Sequence, residues 1–206
     1  MKKILLFVAV ATLSVMMVSC KAAKPEQTIA NLKEAITGES NASAKYAAFS
    51  ERAAQDSLMN ISKLFAATSA AEAIHAKNHM AVLNKLGDSM EVVIETVVAD
   101  STLANLNTAL NGENYELTDM YPKMVETANL EKAADAVTSF SWALEVEKTH
   151  ASIYQDAISK LTADGNDLNV STTWYVCPKC GETFSTIEGI ASCPICATTS
   201  TTFQVL

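Results

Sequence analysis

The chain has 206 residues, of which 49% are apolar, 18% charged and 6% aromatic. A chain of this length can bury a sizeable core, and its six glycines and four prolines are too few for a collagen-like or loop-dominated protein. The formal net charge is −8, and it becomes −10 without residues 1–19, whose only charged side chains are Lys2 and Lys3. With no basic stripe elsewhere, this charge disfavours nucleic acid as a partner.

The N-terminus has the pattern of an export signal. Lys2 and Lys3 precede an uncharged run over residues 4–18, which is too short to span a membrane comfortably. The run ends at Ser19-Cys20, which resembles a bacterial lipoprotein signal, although Met17 stands where leucine is usual. We expect a signal peptide over residues 1–19, lipidation of Cys20 and a tether over residues 20–28. The protein would then be a membrane-anchored lipoprotein on the periplasmic or cell-envelope side; an ordinary signal peptide or an uncleaved anchor is the alternative.

Apolar residues at spacings of three and four predict four long helices. These helices cover about residues 29–54, 61–86, 103–124 and 130–161. β-Branched residues over 90–98 predict a crossover strand or an extended loop between the second and third helices. Pro122 is expected to kink or loosen the third helix after Tyr121.

Acidic and imidazole side chains interrupt the middle of each inward-facing stripe. They are Glu39 on the first helix, Glu72 and His75 on the second, Glu113 on the third, and Glu147 and His150 on the fourth. A buried carboxylate is costly unless it is protonated, paired or bound to a metal. In each Glu-x-x-His pair both side chains leave one face of the helix, one turn apart. Together these residues match the ligand set of dinuclear carboxylate sites in ferritin-like bundles. His79 is expected to be a supporting or hydrogen-bonded core histidine, not a ligand.

Four cysteines near the C-terminus form two CxxC pairs, after the turn-forming residues 164–167 close the helical region. The pairs are Cys177 with Cys180 and Cys193 with Cys196. Their module has too few apolar residues to fold alone, so four thiolates around one metal ion are expected to stabilise it. Two disulfides are the alternative in an exported chain. Four thiolates accept zinc or iron with similar geometry, so the spacing does not choose between the two metals.

These motifs together resemble the rubrerythrin family over nearly all of the chain beyond the signal. The resemblance is carried by Gly38-Glu39-Ser40, by residues 71–76, by Gly112-Glu113, by Met120-Tyr121-Pro122, by residues 147–150 and by the four cysteines. It implies a mainly α protein, in which a ferritin-like four-helix bundle over residues 29–165 has a long crossover between helices 2 and 3. A small metal-stabilised rubredoxin-like β domain would follow over residues 172–206.

The cysteine module departs from typical rubredoxins in the short gap between its pairs, in Glu182 and in Ala197. The short gap and the alanine are at home in the rubrerythrin branch. The resemblance therefore favours one iron ion in the four-cysteine site, with a zinc ribbon as the alternative.

The resemblance also implies roles for individual residues. It assigns seven ligands to two iron ions: Glu39, Glu72, His75, Glu113, Glu116, Glu147 and His150. Glu72 and Glu147 would bridge the irons, Glu39 and Glu113 would be terminal ligands, and Glu116 would exchange with His75 on reduction. Tyr46 and Tyr121 match tyrosines that support the ligands.

The implied activity is reduction of hydrogen peroxide to water, with electrons relayed through the four-cysteine iron site. A ferroxidase or iron-handling protein, and a non-enzymatic lipoprotein scaffold with a zinc ribbon, are the alternatives. The electron donor is unidentified, because an exported protein is separated from the cytosolic reductase that the family resemblance implies as the source of electrons. The resemblance also implies a homodimer, in which the cysteine module of one chain lies near the diiron site of the other because the two sites of one chain are too far apart.

Overall fold

The structure is a computed structural model that describes residues 24–206. The predicted signal peptide and the lipidation site Cys20 lie outside the described residues. Five α-helices form the body: α1 Glu26–Gln55, α2 Met59–Lys85, α3 Thr102–Tyr115, α4 Tyr121–Leu130 and α5 Ala134–Asp164. Helix α1 therefore begins within the segment 20–28 that was predicted to be a tether. Between residues 24 and 206, no helix has both the length and the apolar character that a membrane crossing needs.

The third predicted helix is divided by a π-helical turn over Glu116–Met120. The prediction of a kink after Tyr121 was wrong, because the irregular turn comes before that residue. Pro122 lies in the first turn of α4, where a missing backbone N–H costs little. Residues 88–101 run without helix or strand between α2 and α3, so the crossover is an extended loop.

Two apolar clusters fill the bundle on either side of its polar centre. One contains Phe49, Phe65 and Tyr154, and the other contains Ile36, Leu83 and Phe140. Both clusters draw residues from α1, α2 and α5, so the centre of the bundle is enclosed at both ends. The arrangement confirms the predicted four-helix body, with α3 and α4 acting as one interrupted helix.

Two acidic side chains from distant segments cap the helices of the first half. Glu131 accepts hydrogen bonds from the backbone N–H groups of Gln27 and Thr28, at 3.2 and 2.7 Å. Asp167 accepts from those of Asn60 and Ile61, at 2.6 and 3.1 Å. A carboxylate is favourable at a helix N-terminus, where N–H groups have no partner within the helix. Asp167 thereby ties the chain after α5 to the start of α2.

The C-terminal module is built on a small antiparallel sheet. Its strands are β1 Tyr175–Val176, β2 Thr183–Phe184 and β3 Gln204–Val205, in the order β2-β1-β3. Trp174 and Val176 are buried in the same cluster as Phe65, so the module packs against the helices of its own chain. This packing decides which residues of the module reach the centre of the bundle.

Candidate metal centres

Six carboxylate and imidazole side chains meet at the buried centre of the bundle. Two groups of four have ligand atoms within 4.8 Å of one another: Glu39, Glu72, His75 and Glu147 in the first, and Glu72, Glu113, Glu147 and His150 in the second. Glu72 and Glu147 belong to both groups, so each can bridge two metal ions. Glu39 and Glu113 each face one group only, the position of terminal ligands.

The donor atoms of these groups converge without bonding to one another. His75 Nδ1 lies 2.9 Å from Glu72 and 3.0 Å from Glu147, and His150 Nδ1 lies 3.1 and 2.9 Å from the same two residues. Nevertheless, both Nδ1 atoms and all four oxygens of Glu72 and Glu147 lack a hydrogen-bond partner. Buried polar atoms without a partner are rare in proteins. Their number and convergence, and their mixed carboxylate and imidazole chemistry, fit a pair of iron ions.

The electrostatics of the cluster support the same conclusion. Burial and the charge of Glu72 raise the pKa of Glu39 to about 8, and burial raises the pKa of Glu113 well above its usual value. Burial acts in the same direction on Glu147, but His75 and His150 outweigh it and lower the pKa of that carboxyl. Burial in the apolar bundle thus disfavours the ionised form of its carboxyl groups, and bound cations would stabilise that form by neutralising its charge.

Each terminal glutamate has a tyrosine behind it. Tyr46 OH donates a hydrogen bond to Glu113 Oε1 at 2.6 Å, and Tyr121 OH donates one to Glu39 Oε1. Both tyrosines are buried. A hydrogen bond to one oxygen fixes the orientation of the carboxylate, and the other oxygen of each glutamate has no hydrogen-bond partner and is free to bind a metal ion. The two tyrosines therefore stand where the sequence predicted supporting residues.

Glu116 occupies the first position of the π-helical turn, at the edge of the cluster. It is not one of the residues within 4.8 Å of the others in either group. Even so, burial of its carboxyl and the nearby charges of Glu39 and Glu147 raise its pKa. The structure therefore brings six of the seven predicted diiron ligands together. His75 is one of these six, and Glu116 lies beside the group.

The four cysteines of the module also converge. Sγ of Cys177 lies 3.5 Å from that of Cys196, and Sγ of Cys180 lies 3.4 Å from that of Cys193. A disulfide joins its sulfurs at about 2.05 Å, and all four side chains are free thiols. Hydrogen bonds from Cys180 lower the pKa of Cys177 to about 5, whereas burial raises the pKa of Cys193, so a bound cation is what would hold all four side chains as thiolates. The group suits one tetrahedral metal ion.

The cysteine module touches both histidines of the diiron centre in its own chain. His75 Nε2 lies 3.0 Å from the carbonyl oxygen of Cys180, to which it donates. His150 Nε2 lies 3.2 Å from Thr183 Oγ1, and the hydroxyl of Thr183 in turn donates to Gly181 O. Protonation at Nε2 leaves Nδ1 of each ring free to bind metal. The module thus sets the tautomer of both imidazoles.

This contact overturns the expectation that the two metal sites of one chain lie too far apart. The error arose because local motifs do not show how segments more than a hundred residues apart pack together. The homodimer itself stays a prediction, but the structure does not require a second chain to bring the cysteine site to the diiron centre.

Gly181 allows the close approach of the module to the bundle. Its φ is +87°, and a Cβ atom at this position would lie 2.6 Å from His75 Nε2. Glu182, next in the chain, is 6% exposed and accepts a hydrogen bond from Thr149 at 2.9 Å. Sequence reasoning noted Glu182 only as a departure and missed Thr183. The periodicity of the helices carries no signal for either contact.

The fold and the two centres define a ferritin-like dinuclear carboxylate protein with an appended four-cysteine metal module. The sequence model of the family described as rubrerythrin matches residues 30–158. The chain therefore belongs to the rubrerythrin family, whose members are diiron oxidoreductases. The family's diiron site and the four-cysteine site for one metal confirm the predicted cofactor sites.

Several relatives match over most of their length. Rubrerythrin-2 of Clostridium acetobutylicum is 39% identical over 175 residues, which are 84% of this chain and 93% of that protein. Nigerythrin of Nitratidesulfovibrio vulgaris is 37% identical over 179 residues, 85% of each chain. A solved structure of nigerythrin in its fully reduced, all-ferrous state superposes with a TM-score of 0.79 at 34% identity, over 93% of this chain and 91% of that one. An open-pore ferritin from Archaeoglobus fulgidus shares the fold alone, with a TM-score of 0.60 at 20% identity over 70% of this chain and 89% of that one.

Proposed function

We propose that this protein is a peroxidase that reduces hydrogen peroxide to water, and that electrons reach its diiron centre through an iron ion in the four-cysteine site of the same chain. The observation that carries the proposal is the 3.0 Å hydrogen bond from His75 to the carbonyl oxygen of Cys180. It joins the loop of one metal site to a ligand of the other. When bound, a diferrous pair supplies both electrons that the O–O bond takes up, and a four-thiolate iron returns electrons one at a time.

The residues of the chain hold this arrangement in place. Glu72 and Glu147 belong to both groups of ligand atoms and would hold two ions next to each other. Gly181 and Thr183 lie against His75 and His150, so the module covers the side of the centre where these rings point outward. Enclosure of this kind keeps bulk water away from the reacting groups.

The adjacent cysteine site favours peroxide reduction over iron handling. A peroxidase must be re-reduced after every turnover, and a four-cysteine metal site whose Cys180 carbonyl oxygen is hydrogen-bonded to a diiron ligand, at 3.0 Å from His75 Nε2, serves that need. A protein that oxidises ferrous iron and passes it on draws its electrons from the iron itself. Such a protein gains nothing from a second metal site beside its oxidising centre.

The test compares two oxidants on one sample. Protein lacking residues 1–20 is loaded with iron, reduced without air and mixed rapidly with hydrogen peroxide or with oxygen, while the iron–thiolate and diiron absorption bands are followed. We expect peroxide to oxidise the diiron centre much faster than oxygen, with the cysteine site oxidised in the same turnover. Faster oxidation by oxygen would favour iron handling, and zinc alone in the purified protein would favour a scaffold.

Two variants localise the reaction. Glu72→Ala combined with His75→Ala removes a bridging and a terminal ligand and should abolish peroxide turnover. Glu145→Ala, which removes an exposed glutamate paired with Lys148 on the same bundle, is the control and should leave turnover unchanged. Turnover that survives the double substitution would contradict the assignment of the site.

We also propose that the reaction takes place on the cell-envelope side of a membrane, with Cys20 as the lipid anchor and an electron donor outside the cytosol. The N-terminal sequence pattern supports this proposal. Cys20→Ser should move the protein from the membrane fraction to the soluble fraction. An unchanged membrane fraction would contradict lipid anchoring.

A further inference from the structure

A line of hydrogen-bonded side chains leads from the diiron centre to the surface. Tyr121 OH, which donates to Glu39, lies 3.0 Å from His79 Nε2. On the other side of the imidazole ring, His79 Nδ1 lies 2.8 Å from Ser139 Oγ. Tyr121 and His79 are fully buried, and Ser139 is 5% exposed. The line therefore begins at a metal ligand and ends at the first residue that solvent can reach.

Ser139 lies in the wall of a surface pocket of about 260 Å³. Lys85, Asp135 and Thr138 also line this pocket, so its wall offers polar partners for water. A water molecule takes up about 30 Å³ in the liquid, so the pocket has room for several. The outer end of the line thus meets a supply of protons.

The hydrogen bonds along the line all run in one direction. A metal-bound carboxylate carries no proton, so Tyr121 donates to Glu39, and the phenol oxygen accepts from His79 Nε2–H. His79 Nδ1 is then the acceptor for the hydroxyl of Ser139. Burial lowers the pKa of His79 to about 3. The neutral ring therefore holds the single proton that this arrangement requires.

We propose that Ser139, His79 and Tyr121 form a proton path from the pocket to Glu39 at the diiron centre. The inference rests on the proposed function, since reduction of one hydrogen peroxide to two waters takes up two protons with two electrons. In one passage Tyr121 passes its proton to Glu39, which releases a proton to the peroxide oxygen that leaves as water. His79 Nε2 replaces the proton of Tyr121, and Ser139 passes a proton to His79 Nδ1. A proton from the solvent in the pocket restores Ser139. One proton moves inward, and the imidazole changes tautomer but not charge.

The other half of the centre offers a matched control. Four residues after His150, the position that corresponds to His79 holds Tyr154. Its hydroxyl lies 2.5 Å from Thr68 Oγ1, and Thr68 is fully buried and also hydrogen-bonded to backbone carbonyls. Tyr154 leads to no exposed residue through this partner, so Tyr154→Phe removes a similar buried bond without breaking a path to solvent.

The first test measures oxidation of the reduced, iron-loaded protein by peroxide in H₂O and in D₂O. We expect His79→Leu and Ser139→Ala each to slow the reaction by about tenfold or more and to change the solvent isotope effect. Tyr154→Phe should stay within about twofold of the unchanged protein. In His79→Ala, added imidazole should restore the rate by filling the space left by the ring. Equal rates for all variants, with the unchanged protein still reactive, would overturn the path but leave the peroxidase intact.

A second test does not depend on turnover. The chain has only three histidines, so nitrogen NMR of ¹⁵N-histidine protein loaded with diamagnetic zinc can assign each ring, with His79→Leu identifying the signals of His79. We expect a neutral His79 with the proton on Nε2, and Tyr121→Phe should increase the share of the Nδ1–H form. A proton on Nδ1 in the unchanged protein would overturn the direction of the path. Failure of the peroxidase proposal would instead appear as an unchanged protein that does not react with peroxide.

Discussion

Helices α1 and α2 supply Glu39, Glu72 and His75 to the metal centre, and α3 and α5 supply Glu113, Glu147 and His150 in the same order. The supporting tyrosines cross between these halves, since Tyr46 bonds to Glu113 and Tyr121 bonds to Glu39. The two halves differ in the residues that lie behind the ligands. On one side His79 continues to a surface pocket, whereas on the other side Tyr154 ends among Phe49 and Phe65.

This difference separates two tasks that one bundle has to perform. Two equivalent metal positions need the same donors from both halves of the bundle, so the glutamate and histidine ligands occur in each half. Exchange of protons with water needs only one connection, and a second one would open the apolar cluster around Phe65 to water. The six convergent side chains are therefore symmetric between the two halves, whereas their surroundings are not.

The largest expected effect comes from substituting a residue that belongs to both ligand groups. Glu72→Ala removes a bridging carboxylate that belongs to both groups. We expect the iron content of the bundle to fall by two ions per chain, whereas Glu39→Ala, which alters one group only, should leave some metal bound. Metal analysis of anaerobically purified protein measures the difference. Equal losses for Glu72→Ala and Glu39→Ala would contradict the bridging role.

The next effect tests whether each chain serves its own centre. A Glu72→Ala chain lacks a working diiron site, and a Cys193→Ala chain lacks the four-cysteine site. If the module serves the centre of its own chain, as the His75 to Cys180 contact indicates, a refolded mixture of the two variants should show almost no peroxidase turnover. Recovery of a substantial share of the activity would show exchange of modules between chains.

A smaller effect is expected at the contact between module and bundle. Gly181→Ala places a Cβ atom against His75 Nε2 and puts alanine at a φ of +87°. The module should shift away, which releases His75 and slows re-reduction of the diiron centre by about 10- to 100-fold. Gly189→Ala also has a positive φ but open space around it, so it controls for backbone strain alone. Similar re-reduction rates in these two variants would contradict the close-contact argument.

The smallest effect should come from the side without a path to water. Tyr46→Phe removes the hydrogen bond to Glu113, which should lower the free energy of unfolding by about 1–2 kcal/mol. The peroxide rate should change by less than about threefold, because no proton passes this residue. Denaturant unfolding and rapid-mixing kinetics measure the two quantities. A loss of rate as large as that expected for His79→Leu would show that both halves carry protons.

The sequence predicts the ligand set well because its information is local. Glu-x-x-His places two side chains on one helical face, and the apolar stripe shows which face is inward. The His79 pattern likewise predicts a buried, hydrogen-bonded ring, but not its partners Tyr121 and Ser139. Those residues lie on other helices, and nothing in the periodicity of α2 identifies them.

Docking of the cysteine module was the main error, and its cause is also physical. The contact of Cys180 with His75 depends on Asp167 capping α2 and on Trp174 entering the core. These interactions join segments more than a hundred residues apart. The π-helical turn, in contrast, left a readable signal: seven positions separate Glu39 from Tyr46, but eight separate Glu113 from Tyr121.

That additional residue has a consequence of its own. An insertion into an α-helix rotates everything beyond it by about 100° around the axis, which would turn Tyr121 away from Glu39. The turn over Glu116–Met120 absorbs the insertion locally. Glu116, at the first position of this turn, can therefore be removed without changing how the helices present the other four glutamates of the centre. Deletion of Thr118 would restore a regular helix and the seven-position spacing between glutamate and tyrosine that the first half has. Comparison of this shorter chain with the full chain would show what the additional carboxylate contributes.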